Sequence, residues 1–506
     1  MPITKLTHHT DTSISQVACA SLKNDQSKTS SFSFKQRVIR RCVAALIFMI
    51  VFCLINVALM CVFVPYSSWS LISWEAFNKA SHVDTIITGS SYAERTINPT
   101  ILDDKLHTTT YTVAVPLQSL HDSFHAIKKT HETRGISRVI LGLRHESLWD
   151  DPNETDLKRH AIFSTGYLSD LSLPYYLKDV SQTVFDPHYF GKRDSLNYPV
   201  LWGYHVNRKS DPLNNLSQRL SSTDRIADSV IHYHTWHYYA NGYGNYSSNT
   251  KWFDHGVDLN KRTLTPFEFG KLSDEHMKTY EEICKYCKEH NIELITVIAP
   301  YPSFVFVNDK GVYPSMMKPL EALAQKYGSR YIDLNLVKDN QYRPSLLQFY
   351  DVEHLNSSGA DRVSALVADI LSNTDPDARM NELLYRYDQW EDCRNSYPGV
   401  QHVSCTISAQ DGVQNIHIDS CHNDKITPEF RIVARKVKEN LSNYDIMYRA
   451  YKNYDPTATE VIRDWSSETD FTWKPKTKGK YILYIQSRPL IQRDQDCGLT
   501  RVITVV

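Results

Sequence analysis

The chain has no surplus of charge of either sign. Its 506 residues carry 56 lysines and arginines against 57 aspartates and glutamates. This removes the broad basic footprint expected of a nucleic-acid-binding protein. A second cysteine pair is also missing beside Cys284-x-x-Cys287, whereas a structural zinc site takes four ligands. Those two cysteines lie within a helical pattern. Buried packing or a local disulfide is therefore expected there rather than a metal, and no cofactor is expected elsewhere. Residues 1–34 lack apolar periodicity and are rich in Ser, Thr and Lys, the composition of a disordered tail. Residues 42–64 lack any charged side chain. A membrane-spanning helix needs about 20 predominantly apolar residues. A cleaved signal peptide has a shorter apolar region ending in small residues, so this run reads as an uncleaved anchor.

The flanks of that run orient it. Lys35, Arg37, Arg40 and Arg41 crowd its N-terminal side, while Tyr66, Trp69 and Trp74 follow it in the manner of an interfacial aromatic belt. The positive-inside rule places residues 1–34 in the cytoplasm and the chain beyond residue 66 outside. The expected order is a tail at 1–34, a basic flank and transmembrane helix at 35–66, and a juxtamembrane linker at 67–80. An α/β domain then spans 81–375, a linker 376–392 and a β-sandwich module 393–506. This gives a single-pass protein of the cell membrane whose partner at 42–64 is the lipid bilayer. Cys393, Cys405, Cys421 and Cys497 fall in the exported last quarter, where up to two disulfides are expected.

Beyond residue 80 strands and helices alternate, the pattern of a parallel sheet covered by helices. Strands are expected at 83–88, 111–115, 138–143, 292–299 and 331–334. Helices are expected at about 91–104, from Leu117 to Gly135, at 273–290 and at 315–327. The stretch 150–270 is rich in Tyr, His, Asn and Asp, breaks the rhythm and reads as an insertion beside the site.

Two short stretches carry chemistry. Gly89-Ser90-Ser91 follows the first strand, at the carboxyl edge where open α/β sheets bind ligands. Either serine would serve as a helix N-cap. Asp351-Val352-Glu353-His354 precedes a helix whose apolar face is Val363, Leu366, Val367, Ile370 and Leu371. In a loop, that spacing lets the Asp351 carboxylate orient the His354 ring. The histidine could then activate a serine, which is a weak nucleophile alone.

These stretches resemble the first and last motif blocks of the SGNH hydrolase superfamily, and most closely its membrane-anchored cell-envelope branch. That branch includes proteins of polysaccharide O-acetylation and of D-alanyl transfer to lipoteichoic acid. The resemblance covers roughly residues 80–375. It implies a flavodoxin-like parallel sheet, with Ser91 as nucleophile, His354 as base and Asp351 orienting it. Ser90 stands where the family has aspartate. The second block lacks its glycine, since Ala114-Val115-Pro116-Leu117 occupies it, and the third lacks its asparagine, since Gly142-Leu143-Arg144-His145-Glu146 occupies it. The Ser91 amide then remains as an oxyanion donor, with Arg144 and His145 as further candidates.

After residue 392 short strands alternate with turns, as in a β-sandwich. Phe471–Tyr481 loosely resembles the Trp-x-Pro…Gly-x-Tyr stretch of immunoglobulin-like modules. Its aromatics are expected in the core more than on a glycan. The resulting expectation is a serine-dependent, extracytoplasmic acyltransferase acting on cell-envelope polysaccharide, probed against two alternatives: a carbohydrate esterase with the same triad, and a non-catalytic glycan-binding scaffold. A multispanning membrane acyltransferase is the expected donor partner.

Overall fold

The structure is a computed structural model. It describes residues 34–66, 68–148, 157–167, 173–190, 198, 200–206, 211–221, 236–238, 241–246, 272–302, 306, 309, 311–338, 342–344, 348–351, 353–396, 400–410, 413–424, 444–452, 459–489 and 497–505. The chain divides into two units, residues 1–58 and 59–506.

Helix α1 (Phe34–Phe63) is long and apolar enough to cross a membrane. Its large apolar side chains, such as Leu46, Phe48 and Leu54, face outward, as they would toward lipid. The last carbonyls of any helix are orphaned. Here Arg219 donates to the Cys61 and Val64 oxygens at 2.8 and 2.7 Å.

The expected linker at 67–80 is instead a helix, α2 (Trp69–Lys79), capped by Ser68. Ile72, Trp74 and Phe77 are buried. Trp74 therefore belongs to the protein core rather than to an aromatic belt, and Tyr66 is buried as well. Apolar residues one helical turn apart built this face, and its anchorage is a close approach. A Cβ on Gly166 would collide with Ser70 and Trp74.

The central sheet comprises β1 (Thr85–Gly89), β2 (Thr110–Thr112), β3 (Arg138–Leu143), β6 (Glu293–Ile298) and β7 (Arg330–Asp333), after the intervening hairpin β4 (Trp236–Tyr238) and β5 (Gly244–Tyr246). Its order is β2-β1-β3-β6-β7, and every pairing is parallel. With the hairpin set aside, this is the 2-1-3-4-5 order of flavodoxin-like sheets, whose crevice opens between the first and third strands. Strands buried on both faces read as continuous Val/Ile/Leu runs. Ile86, Ile87, Val139, Ile140 and Ile295 are fully buried, each contributing about 1.5–3 kcal/mol of apolar burial.

The expected helix at 91–104 is two: α3 (Ser91–Thr96) and α4 (Pro99–Leu106). Pro99 disfavours helix at Asn98, and Asn98 caps the new helix through the Thr100 amide. Helix α5 (Leu120–Arg134) stops at Gly135, whose φ of 65° is left-handed. Where described, the insertion holds α6 (Leu157–Tyr167), α7 (Leu173–Val184) and α8 (Pro212–Ser221) as well as the β4–β5 hairpin. The Asn241 carbonyl beside that hairpin accepts from the Thr112 amide on the sheet's edge strand. Helices α9 (Asp274–Glu289), α10 (Val312–Tyr327) and α11 (Ser357–Ser372) complete the covering layers. Cys284 and Cys287 are buried thiols, each pushed up to about 12 by burial. Of the two expectations for this pair, packing holds and a disulfide does not.

The expected linker at 376–392 is also structured. Helices α12 (Pro376–Leu383) and α13 (Trp390–Ser396) belong to the α/β core. Tyr385 N donates to Leu336 O, Tyr387 donates to Asp333 at 2.5 Å, and Trp390 Nε1 donates to Asp309 at 2.7 Å. Cys393 is a buried thiol at 3.4 Å from the Asn335 carbonyl, so it takes no part in a disulfide. The side chains of Cys405, Cys421 and Cys497 lie outside the described residues.

The strands of the C-terminal region form two antiparallel sheets. One orders β11 (Thr459–Ser466), β10 (Tyr444–Lys452), β13 (Gly479–Pro489) and β14 (Cys497–Val505). The other orders β12 (Asp470–Trp473), β9 (Val413–Asp424) and β8 (Val400–Gln410). Phe430-Arg-Ile-Val-Ala434, which also reads as a short strand, lies outside the described residues. Trp473 and Tyr481 are buried edge to face, with centroids 5.3 Å apart, and Tyr481 donates to the Thr477 carbonyl at 2.7 Å. They are core residues.

Candidate active site

The turn after β1 separates the two serines by role. Ser90 is the N-cap of α3, and its side chain accepts from the Tyr92 amide. Ser91 is the first helical residue, and its Oγ lies 2.9 Å from His354 Nε2. Close packing fixes this turn. Gly89 takes φ 136°, and a Cβ there would strike the Gly142 carbonyl. A Cβ on Gly142 would lie 2.5 Å from the Ala93 Cβ. Two glycines in register on β1 and β3 thus let α3 rest directly on the strands.

The histidine loop is held with equal economy. Asp351 Oδ1 accepts from the Glu353 and His354 amides, both at 2.8 Å, and from the His354 ring Nδ1 at 2.9 Å. The Asp351 carboxylate therefore folds the loop and orients the ring together. Tyr350 N donates to the His354 carbonyl, and Asn356 caps α11 through Gly359. With Nδ1–H directed to Asp351, Nε2 is left to accept from the Ser91 hydroxyl. The structure thus brings Ser91, His354 and Asp351 together at the carboxyl edge of the sheet, from segments 263 residues apart.

The surroundings of the histidine favour its neutral form. Burial lowers its pKa below 6.5; the Asp351 bond opposes this, and the charges of Arg95 and Arg144 reinforce it. Burial works against ionisation of Asp351, yet its hydrogen bond to His354 and the positive charge nearby hold that carboxyl at about 2. A neutral imidazole beside a hydroxyl, with an ionised carboxylate behind it, can accept the hydroxyl proton and stabilise the imidazolium that results.

Arg144 and His145 are both buried. Arg144 donates from Nη1 to the Glu353 carbonyl at 2.8 Å, and its guanidinium lies 3.6 Å from the Tyr301 ring centre and 4.7 Å from that of Tyr92. Tyr92 in turn stacks on the His354 ring at 5.3 Å. The result is a layered pile, Tyr301–Arg144–Tyr92–His354, that props the imidazole from behind. His145 packs on Tyr301, with Nδ1 3.2 Å from Glu146. These contacts make Arg144 a brace for the imidazole. Leu117, where the sequence lacks the expected glycine, adopts a left-handed φ of 64° with its side chain exposed. Glycine would take this conformation without strain.

Tyr92, Arg95, Tyr301 and Glu94 were not singled out from the sequence. Glu94 is fully buried one helical turn beyond Ser91, and neither carboxylate oxygen has a hydrogen-bond partner among the described residues. Burial raises its pKa to about 8 against the opposing charge of Arg95. Its position right after the Ser-Ser pair was visible; its burial was not. In comparisons with known proteins, no family model and no curated protein matches this chain.

Proposed function

We propose that this protein is a membrane-anchored acyltransferase of SGNH type, acting outside the cytoplasm on a cell-envelope polysaccharide, with acetyl as the transferred group. The observation that carries the reading is the Ser91–His354–Asp351 relay at the opening between β1 and β3. In this reading Ser91 Oγ attacks the acyl carbonyl of the donor while His354 Nε2 takes its proton. The imidazolium returns that proton to the leaving group, and an acyl-Ser91 ester remains. An acceptor hydroxyl, deprotonated by the now neutral His354, attacks the ester and releases Ser91. The Ser91 amide at the start of α3 supplies one donor to the developing oxyanion. A tether such as α1 favours a donor handed over by a multispanning membrane partner. The two antiparallel sheets would lie on the same side as the relay.

The test uses the full chain in detergent with a chromogenic acetyl ester. Slow release of acetate is expected, with acetylated sugar appearing once an oligosaccharide acceptor is added. Ser91→Ala and His354→Ala should each abolish both, and the double variant should be hardly worse than either, because triad members act as a unit. Fast hydrolysis unaffected by acceptor would make the protein an esterase. Full activity in Ser91→Ala would remove the serine mechanism altogether.

A further inference from the structure

A second cluster of functional side chains lies on α5. His121 and His125 are one helical turn apart, and both turn their Nε2 atoms toward Asp186, in the segment that follows α7. The three atoms form a nearly regular triangle. His121 Nε2 to Asp186 Oδ2 is 2.9 Å, His125 Nε2 to His121 Nε2 is 3.2 Å, and His125 Nε2 to Asp186 Oδ2 is 3.5 Å.

Hydrogen bonding uses only part of this triangle. With a hydrogen on His121 Nε2 the bond to Asp186 is made, and the His125 Nε2 lone pair is left 3.5 Å from the same carboxylate oxygen. With hydrogens on both Nε2 atoms, the two face each other across 3.2 Å. A cation satisfies all three lone pairs at once. Tetrahedral zinc with ligands at about 2.0–2.1 Å spaces them about 3.3 Å apart, close to each edge observed. A triangle of these edges has a circumradius of about 1.9 Å, so a point at the zinc–ligand distance from all three atoms exists just off its plane.

We propose that His121, His125 and Asp186 bind a zinc ion, with water in the fourth position. His125 is 28% exposed, which gives the ion a way in. Two side chains of the cluster come from α5, which packs against the sheet, and the third from the inserted segment. The same two regions meet nearby in a buried ion pair. His160 of α6 contacts Asp122 of α5 at 2.5 Å and Thr183 of α7 at 3.0 Å. Zinc would therefore clamp the insertion to the α/β core. His-x-x-x-His on an amphipathic helix gave no sign of this in the sequence, because its third ligand lies far along the chain.

The experiment titrates zinc into the full chain in detergent after chelator treatment, by calorimetry and by thermal melting. A single equivalent is expected to bind and to raise the melting temperature. Cobalt in its place should give visible absorption bands of a tetrahedral site. Disturbing groups that only support a metal ligand costs about 10–100-fold in affinity, so His125→Ala and Asp186→Asn should each lose at least about 100-fold. In the presence of chelator these variants should melt near the parent temperature, which separates loss of the ion from loss of the fold. Ser91→Ala and His82→Ala should bind zinc as the parent does. Uptake that persists in His125→Ala and Asp186→Asn, or no stoichiometric uptake by the parent, would overturn the proposal.

Discussion

Arg95 and Glu94 are adjacent in α3, and each leads to a pH-dependent prediction. Arg95 is one of the positive charges that lower the pKa of His354 below 6.5, after burial itself. Removing it must raise that pKa. The acid limb of kcat/KM in Arg95→Gln should therefore move to higher pH, read from pH–rate profiles of parent and variant; an unmoved limb would detach Arg95 from the histidine. Glu94 acts on stability instead. Its folded carboxyl titrates near pH 8 against an ordinary value of 4.5. Between those values the folded chain holds a proton that the unfolded chain has lost, so this residue makes stability fall as pH rises. The slope is on the order of 1 kcal/mol per pH unit. Glu94→Gln keeps the shape and removes the titration. Its melting temperature should gain on the parent steadily from pH 5 to pH 8, whereas a constant gap would mean that Glu94 is not the protonated group. Ser91, Asp351 and His354 were legible because each sits in a local pattern, a turn after a strand or a loop before a periodic helix. The props behind them were not. The place of Arg144 after β3 was visible; only the fold shows its guanidinium held between two tyrosine rings and the Glu353 carbonyl.

The seat of α3 on β1 and β3 is the element that places Ser91, and it depends on the absence of a side chain at Gly142. The Ala93 Cβ and Cα lie 2.5 and 2.6 Å from where a Gly142 Cβ would stand, and both belong to the helix that carries Ser91. Gly142→Ala should push α3 off the sheet, costing about 1–3 kcal/mol of overpacking and lengthening the Ser91–His354 contact. Activity should fall at least tenfold in variant protein that still melts cooperatively. Gly135→Ala is the matched comparison. It strains the left-handed end of α5 but meets no neighbouring atom within 4 Å, so it should cost stability on the order of 1 kcal/mol and leave turnover unchanged. Equal turnover in both variants would show that the α3 seat does not govern the relay. Elements with a clear period were readable to within a few residues, as with α9, α10, β3 and β6. The inserted helices were not. α6 and α7 pack in part through His160, Asp179 and Thr183, polar residues buried by pairing with one another and with Asp122 and Tyr198, and a polar residue gives no sign in the sequence of being buried.

At the scale of the whole chain, two segments taken for linkers are parts of the α/β body. α2 hides Trp74 and Phe77 in the core, and α13 carries Trp390 against Asp309. Both are short and carry polar residues between their apolar ones, which is how a linker also reads. The body therefore starts almost at the end of α1, and in the proposed reading of α1 as a membrane span the side on which it ends decides where the Ser91–His354–Asp351 site lies. The flanking charge makes a definite expectation. Lys35, Arg37, Arg40 and Arg41 precede the apolar run, and basic residues next to a span are retained in the cytoplasm. A phosphatase that is active only after export, fused behind Val506, should therefore be active, and a reporter that works only in the cytoplasm should be silent in the same place. Replacing the four basic residues by glutamine removes the asymmetry without shortening the run, so a measurable share of the cytoplasmic reporter should then switch on. If that reporter is active with the native flank, the relay faces the cytoplasm, and an envelope polysaccharide cannot be its acceptor. The reading of Ser91 as a nucleophile would survive that result, because it rests on the 2.9 Å contact with His354 and not on the orientation of α1.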